Sequence, residues 1–159
     1  MKILVAYFSA SGKTAELAQT IARVTGGDLH EIKPAKPYTK ADLAWFNPLS
    51  RSTKEMKFSS TPLPEIANSV ENLSQYDVVF VGFPIWWYTA PKIINVFLSS
   101  GDFSGNVLVP FATSGGPGME KVNAKVRELR TDAVWKNGAK MSPSESEESV
   151  RSWVKSLGL

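Results

Sequence analysis

Three runs of the chain are apolar almost without interruption: Ile3–Phe8 (ILVAYF), Asp77–Phe83 (DVVFVGF) and Asn106–Ala112 (NVLVPFA). A strand with one wet face alternates apolar and polar residues, whereas a strand covered by helices on both faces does not. These runs therefore read as buried parallel strands. Between them the hydrophobic period lengthens to that of a helix. Leu17, Ala18, Ile21 and Ala22 share one face, and Gly26-Gly27 stops the pattern. A second helical pattern begins near Pro91, carries Ile93, Ile94, Phe97 and Leu98, and ends before Gly101. A third carries Met119, Val122, Val126 and Leu129, and a last one Val150, Trp153, Val154 and Leu157. Glu145, Glu147 and Glu148 stand at the start of that last helix, where the positive end of the helix dipole favours carboxylates. Short strands around Leu29–Ile32 and Ala133–Trp135 complete the alternation.

Strand alternating with helix along the whole chain predicts a doubly wound α/β sheet in three layers, α/β/α. With 159 residues and no internal repeat, residues 1–159 are expected to form one domain. The exception to the alternation is a long excursion at about 33–64. It holds Pro34, Pro37, Pro48, Pro62 and Pro64 with the aromatics Tyr38, Trp45, Phe46 and Phe58. A short helix is expected near Lys40–Phe46, with irregular chain after it. Long ordered loops of this kind are often functional.

Composition narrows the chemistry. Hydrophobic residues make up 43% and charged residues 21%, the balance of a folded globular chain. Cysteine is absent, which removes disulfides, thiolate nucleophiles and cysteine-held metal centres. The single histidine, His30, excludes a multi-histidine metal site, so no metal ligands and no dedicated catalytic side chain are assigned. His30 itself reads as a surface or capping residue. Reactivity must come from a borrowed cofactor. Lys+Arg 18 against Asp+Glu 15 gives a net charge of +3, interspersed rather than gathered into the stripe of a nucleic-acid binder. The opening apolar run is shorter than a secretory signal, and Val78–Trp87 is broken by Gly82 and Pro84 and falls short of the roughly 20 residues that span a bilayer. A cytoplasmic protein with no membrane insertion is expected.

In an open parallel sheet, ligands bind beyond the carboxyl ends of the strands, so the segments that follow the strands are the informative ones. After the first comes Ser9–Thr14 (SASGKT), leading straight into a helix. Gly12 allows close backbone approach, and Ser9, Ser11 and Thr14 can donate to phosphate oxygens at a helix N-terminus. A P-loop would need a glycine where Tyr7 stands, and no later strand ends in an Asp placed for magnesium. After the Asp77–Phe83 run come Pro84–Pro91 (PIWWYTAP), whose Trp86, Trp87 and Tyr88 offer flat faces to a planar ring. Two adjacent tryptophans in a loop do not both enter one core. After the Asn106–Ala112 run come Thr113–Gly118 (TSGGPG), whose glycines let amide N–H groups face a ligand edge.

Phosphate grip, aromatic wall and glycine-rich amides, in that order, resemble the flavodoxin family over the full length of the chain, from KILVAYFSASGKT through DVVFVGFPIWWYTAPKI to VPFATSGGPG. The resemblance implies a flavodoxin-like five-stranded parallel sheet in the order 2-1-3-4-5 and non-covalently bound FMN. It implies that Ser9, Ser11, Gly12, Lys13 and Thr14 hold the phosphate. Pro84, Ile85, Trp86, Trp87 and Tyr88 would form one loop at the isoalloxazine ring, and Thr113, Ser114, Gly115 and Gly116 the other. Lys13 departs from the neutral residue common in that loop; it either offsets the phosphate charge or points to solvent. The basic balance departs from the acidic electron shuttles of the family and predicts a less negative reduction potential. Asp42 and Trp45 are placed where they could approach the ring from above. Lys121, Lys125, Arg127 and Arg130, with Glu120 and Glu128, read as a solvated helix face.

The function implied is a flavin-dependent oxidoreductase that passes electrons from a donor such as NAD(P)H to a quinone, a dye or a redox protein. The alternatives are a non-enzymatic electron carrier on the same cofactor and a flavin-free regulatory or scaffold module.

Overall fold

The apolar runs do pair side by side. A computed structural model describes residues 1–113 and 118–159. In chain order its elements are β1 (Ile3–Tyr7), α1 (Lys13–Thr25), β2 (Asp28–Glu31), α2 (Arg51–Lys57), a 3-10 turn (Leu73–Gln75), β3 (Val78–Pro84), α3 (Lys92–Ser99), β4 (Val107–Thr113), α4 (Met119–Arg127), β5 (Val134–Trp135), β6 (Ala139–Lys140) and α5 (Glu147–Ser156). The sheet runs β2-β1-β3-β4-β5, with β6 also on β4, and every pair is parallel. Val5 of β1 faces Leu29 of β2 on one side and Phe80 of β3 on the other, and Phe80 faces Val109 of β4.

Side chains alternate across a strand, so one sheet feeds two cores. Leu4, Ala6 and Phe8 join Val79, Val81 and Phe83 against α3 and α4, through Ile93, Ile94, Phe97, Val122 and Val126. Val5 and Tyr7 join Val78, Phe80, Val109 and Phe111 against Leu17 and Ile21 of α1 and Val150 of α5. Each fully buried aliphatic or phenyl side chain contributes about 1.5–3 kcal/mol, so both faces must be covered for the sheet to persist. This is the three-layer arrangement predicted from the continuous apolar runs.

The last position of the sheet differs from the single short strand expected around Ala133–Trp135, and the reason lies in β4. The carbonyls of Leu108 and Ala112 accept from the N–H groups of Lys136 (2.9 Å) and Met141 (3.0 Å). Pro110, midway between them, presents its backbone to the same side and has no N–H to offer. The neighbouring strand breaks there into β5 and β6. Gly138 fills the gap, where a Cβ would lie 1.9 Å from the Pro110 carbonyl oxygen. Asn123 of α4 mends the break: its side-chain oxygen accepts the Gly138 N–H (2.9 Å), and its side-chain N–H reaches the Gly138 carbonyl (3.4 Å).

The excursion leaves β2 and returns through a small clasp. Pro34 bridges Ile66 antiparallel, the Ala35 N–H donates to Glu65 (2.8 Å), and the Ala67 N–H donates to Lys33 (2.7 Å). The helix expected near Lys40–Phe46 is not formed. That stretch makes only tight turns, started by a reciprocal pair in which the Thr39 N–H donates to Asp42 Oδ2 and the Asp42 N–H to Thr39 Oγ1. Pro48 prevents its continuation, because proline disfavours the helical conformation of the residue before it. The helix lies further on, at α2, where Ser50 Oγ accepts the Thr53 N–H as N-cap. His30, expected at the surface, is half-buried on β2, stacked on Phe97 with centroids 6.3 Å apart.

Candidate functional site

A parallel sheet sends the ends of β1, β3 and β4 to one rim, and backbone bonds lock them together. The Phe8 N–H donates to the Gly82 carbonyl (2.9 Å), and the Ile85 N–H to the Thr113 carbonyl (3.1 Å). The start of α1 is unusual. Its N-cap is Gly12, left-handed at φ 89° and without a side chain to cap the helix. Ser9 supplies the missing oxygen, its Oγ accepting the N–H groups of Gly12 (3.1 Å) and Ala15 (3.2 Å). Both lone pairs of that hydroxyl are then engaged, and its proton remains to be donated. Thr14, buried in α1, bonds Thr113 at the end of β4, Oγ1 to Oγ1, at 2.8 Å. Two hydroxyls need only one proton for their mutual bond, so the pair also has one to give. Among the described residues, no acceptor meets the N–H groups of Ser11, Lys13 and Thr14. The rim is thus a cluster of donors at a positive helix end, which is chemistry for an anion.

At the end of β3 the chain reverses in a two-residue turn. The Trp86 N–H donates to the Thr89 carbonyl (2.9 Å) and the Thr89 N–H to the Trp86 carbonyl (3.1 Å). Between them Trp87 (φ 47°) and Tyr88 (φ 66°) are both left-handed, the conformation for which glycine and asparagine are favoured. Two side-chain-bearing residues there cost about 1–2 kcal/mol each. The adjacent tryptophans do part company. Trp86 turns inward, edge-on to Phe8 (5.8 Å) and Tyr38 (5.6 Å). Trp87 and Tyr88 turn outward, with Lys57 Nζ 5.5 Å from the Trp87 centroid and Lys121 Nζ 5.3 Å from that of Tyr88.

The excursion meets this turn through Tyr38, against Trp86, and is tied to itself by Arg51. The Arg51 guanidinium lies 3.7 Å from the Tyr38 ring centroid. Its Nε donates to Glu55 Oε2 (2.9 Å), its Nη1 donates to the Lys36 carbonyl (2.8 Å), and Asp42 stands 3.8 Å away. The Tyr38 hydroxyl donates to the other Glu55 oxygen. Burial and the bond to Glu55 push the Tyr38 hydroxyl far above its ordinary pKa, so it holds its proton and is no acid for a ligand. Asp42 is held below the usual carboxylate range, chiefly by the Thr39 N–H. Between this excursion and the turn lies a cavity of about 380 Å³, walled by Leu43, Trp45 and Ser52 on one side and by Pro84–Trp87 on the other. A second, of about 330 Å³, flanks it across the Phe8–Tyr38–Trp86 cluster and reaches Ser9 and Ala10. Both fall within the size of small-ligand pockets.

The expected site residues therefore converge where they are described. Ser9, Ser11, Gly12, Lys13 and Thr14 form the donor cluster, with Ser11 and Lys13 exposed. Pro84, Ile85, Trp86 and Trp87 wall the cavity, Tyr88 tips the turn, and Thr113 closes the far side. Ser114, Gly115 and Gly116 lie outside the described residues. Trp45 lines the cavity, whereas Asp42 serves the turn and Arg51. Sequence reading missed Leu43, Ser52 and the Tyr38–Arg51–Glu55 cluster. The spacing of Arg51 and Glu55, four apart, was a local signal for the last. Lys121 sits over Tyr88 and so borders the site, rather than lying only on a solvated helix face.

An open parallel sheet in the order 2-1-3-4-5, with a donor-lined first turn and an aromatic second one, defines a flavodoxin-like architecture. The chain belongs to the flavodoxin family, whose sequence profile, described as Flavodoxin, matches residues 2–157. It is similar to a candidate flavoprotein of known structure from Bacteroides eggerthii, at 44% identity over 99% of this chain and 98% of that one, with a TM-score of 0.93. A second, from Bacteroides uniformis, is 42% identical over 97% of each chain, with a TM-score of 0.90. A flavoprotein from Lactobacillus acidophilus, crystallised in complex with FMN, shares the fold at 20% identity, covering 99% of each chain, with a TM-score of 0.78. No curated protein matches the chain. No helix among the described residues is long and apolar enough to cross a membrane.

Proposed function

We propose that this protein binds FMN at the rim and passes electrons from a reduced donor such as NAD(P)H to a quinone, dye or redox-protein acceptor. One observation carries the reading: a cluster of unanswered donors at a helix start stands beside an aromatic-walled cavity, matching a nucleotide with an anionic tail and a flat head. The flavoprotein crystallised with FMN has the same fold. The donor set suits the group, since Ser9 and the Thr14–Thr113 pair each keep a proton to give and Gly12 leaves open space in front of the backbone.

Bound FMN supplies the redox chemistry, as one- or two-electron transfer. The chain's part is to bind, orient and shield. The hydroxyls of Ser9, Ser11 and Thr14, with the amides of the first turn of α1, hold the phosphate, while Lys13 stays at the surface. Pro84–Tyr88 and the Thr113–Gly116 segment flank the ring. Trp86, fixed by Phe8 and Tyr38, sets the depth of the cavity. The excess of positive charge makes a strongly negative potential costly to maintain.

The test compares FMN with riboflavin, which lacks the phosphate. FMN titrated into the flavin-free protein should bind tightly, with a shifted visible spectrum. Ser9→Ala should weaken FMN about tenfold, the equivalent of about 1.4 kcal/mol, and leave riboflavin within twofold. No uptake of FMN, or equal losses for both flavins, overturns the reading.

A further inference from the structure

The aromatic turn uses its strained backbone to hold two rings at the surface, Tyr88 48% exposed and Trp87 half-buried, and a lysine ammonium lies over each. The lysines arrive on different elements, Lys57 from the last turn of α2 in the excursion and Lys121 from the first turn of α4 beyond β4. Among the described residues neither has a carboxylate within salt-bridge distance, whereas Arg23, Arg51 and Arg130 all do. The cavity below them is of opposite character. Its described lining carries no charged side chain, and Trp45 and Phe46 extend its apolar surface outward at 72% and 75% exposure.

An aromatic floor under a cationic edge selects for shape and charge together. A flat ring stacks beside Trp87 and Tyr88, and an anionic substituent on that ring meets the ammonium groups of Lys57 and Lys121. A neutral ring gains only the first contact, and a cationic ring is repelled. We infer that this mouth is a binding site for flat aromatic anions, the acceptor class of the proposed electron transfer, with Lys57 and Lys121 selecting the charge. The inference rests on the proposed flavin chemistry only for the word acceptor. A quinone that bears a carboxylate or sulfonate fits the description. It takes up two electrons and two protons to become the hydroquinone, a reduced nicotinamide giving a hydride and solvent the second proton.

The probes are anthraquinone-2-sulfonate and uncharged 2-(hydroxymethyl)anthraquinone, neither of which has a leaving group for a lysine amine to displace, titrated by calorimetry into the flavin-free and the FMN-saturated protein without reductant. The sulfonate should bind about fivefold tighter or more at low salt, and the preference should shrink toward unity at about 0.5 M salt. Lys57→Gln and Lys121→Gln should each lower it about threefold, and the double variant should abolish it, with the neutral quinone unchanged within twofold. Both lysines make surface contacts, so an unchanged circular dichroism spectrum shows that the variants are folded. Equal affinities for the two quinones, or a preference that survives in the double variant, overturns the inference. A chain that takes up no FMN but shows the lysine-dependent preference keeps the site and loses only the acceptor role. One that loads FMN without any charge preference keeps its flavin and refutes the site.

Discussion

Arg51 ties Lys36, Tyr38, Asp42 and Glu55 of the excursion to one another, so its removal should loosen the excursion without unfolding the sheet. In Arg51→Met the Tyr38 ring keeps an apolar neighbour of similar length. Lost are the bond to Glu55 at 2.9 Å, the bond to the Lys36 carbonyl at 2.8 Å and the cation over Tyr38 at 3.7 Å. Glu55 is left with only the Tyr38 hydroxyl, its side chain 5% exposed. Stripping one partner from a buried pair costs about 3–5 kcal/mol. Arg51 is itself 17% exposed and Asp42 21%, and water screens that side of the cluster, so about 2–3 kcal/mol is expected here. Of these residues only Tyr38 packs against a core, through Phe8, and its ring stays in Arg51→Met, so the loss should be local. Hydrogen exchange read by mass spectrometry should show faster exchange in peptides spanning 36–58 and unchanged exchange in those spanning β3 and β4. Arg51→Met/Glu55→Gln should lose less than the sum of its singles by more than about 1 kcal/mol, because the stranded charge is gone. Unchanged exchange in the excursion, or simple additivity, refutes the clamp.

Two further expectations test the core and its titration. Gly82→Ala places a Cβ 2.1 Å from Phe111 Cζ in a fully buried ring, and urea denaturation should show a loss of about 1–3 kcal/mol, partly recovered by adding Phe111→Leu. Burial lowers the pKa of His30 in the fold, with Glu31 opposing, so the unfolded chain binds the proton more readily. Stability should therefore hold above the ordinary value of 6.5 and fall as the pH drops below it, a slope in urea midpoints that His30→Gln removes.

What was legible in the sequence was what short-range pattern determines. β1, β3 and β4 announced themselves because helices cover both their faces, and α1, α3, α4 and α5 because each has one apolar face, with Gly26-Gly27 and Gly101 marking the ends of the first two. The site loops were legible for a related reason: parallel strands put their carboxyl ends at one rim, so Ser9–Thr14 and Pro84–Tyr88 had to meet. Misreadings came where distant partners decide. The break between β5 and β6 is dictated by Pro110, some 25 residues earlier, and repaired by Asn123. The short helix expected near Lys40–Phe46 does not form in a stretch whose largest apolar side chains, Trp45 and Phe46, are exposed and bury no helix face. The actual anchor of the excursion is a pairing of Tyr38, Arg51 and Glu55 with no hydrophobic periodicity to reveal it.

Local rules are broken at three places, and the manner of repair separates architecture from function. Pro110 in β4 breaks the strand beside it, and Asn123 takes up both backbone groups of Gly138 at the break. Gly12 leaves α1 without a side-chain cap, although serine or aspartate would be favoured at an ordinary helix start. Here φ is 89°, and an aspartate would also set a negative charge among the donors meant for an anion. Trp87 and Tyr88 occupy a turn that Asn-Gly would form without strain. At the φ of Gly12 a capping side chain would itself be strained, whereas Asn-Gly would relieve the turn; both places lie at the same rim, and each keeps open a surface that substitution would close or strip of its rings. On the proposed reading, strain and unmet donors that persist beside a cavity are the cost of a site held ready for its ligand. Replacing Trp87-Tyr88 by Asn-Gly would therefore relieve the backbone while removing the aromatic display, separating the stability of the empty protein from its grip on a flat ring.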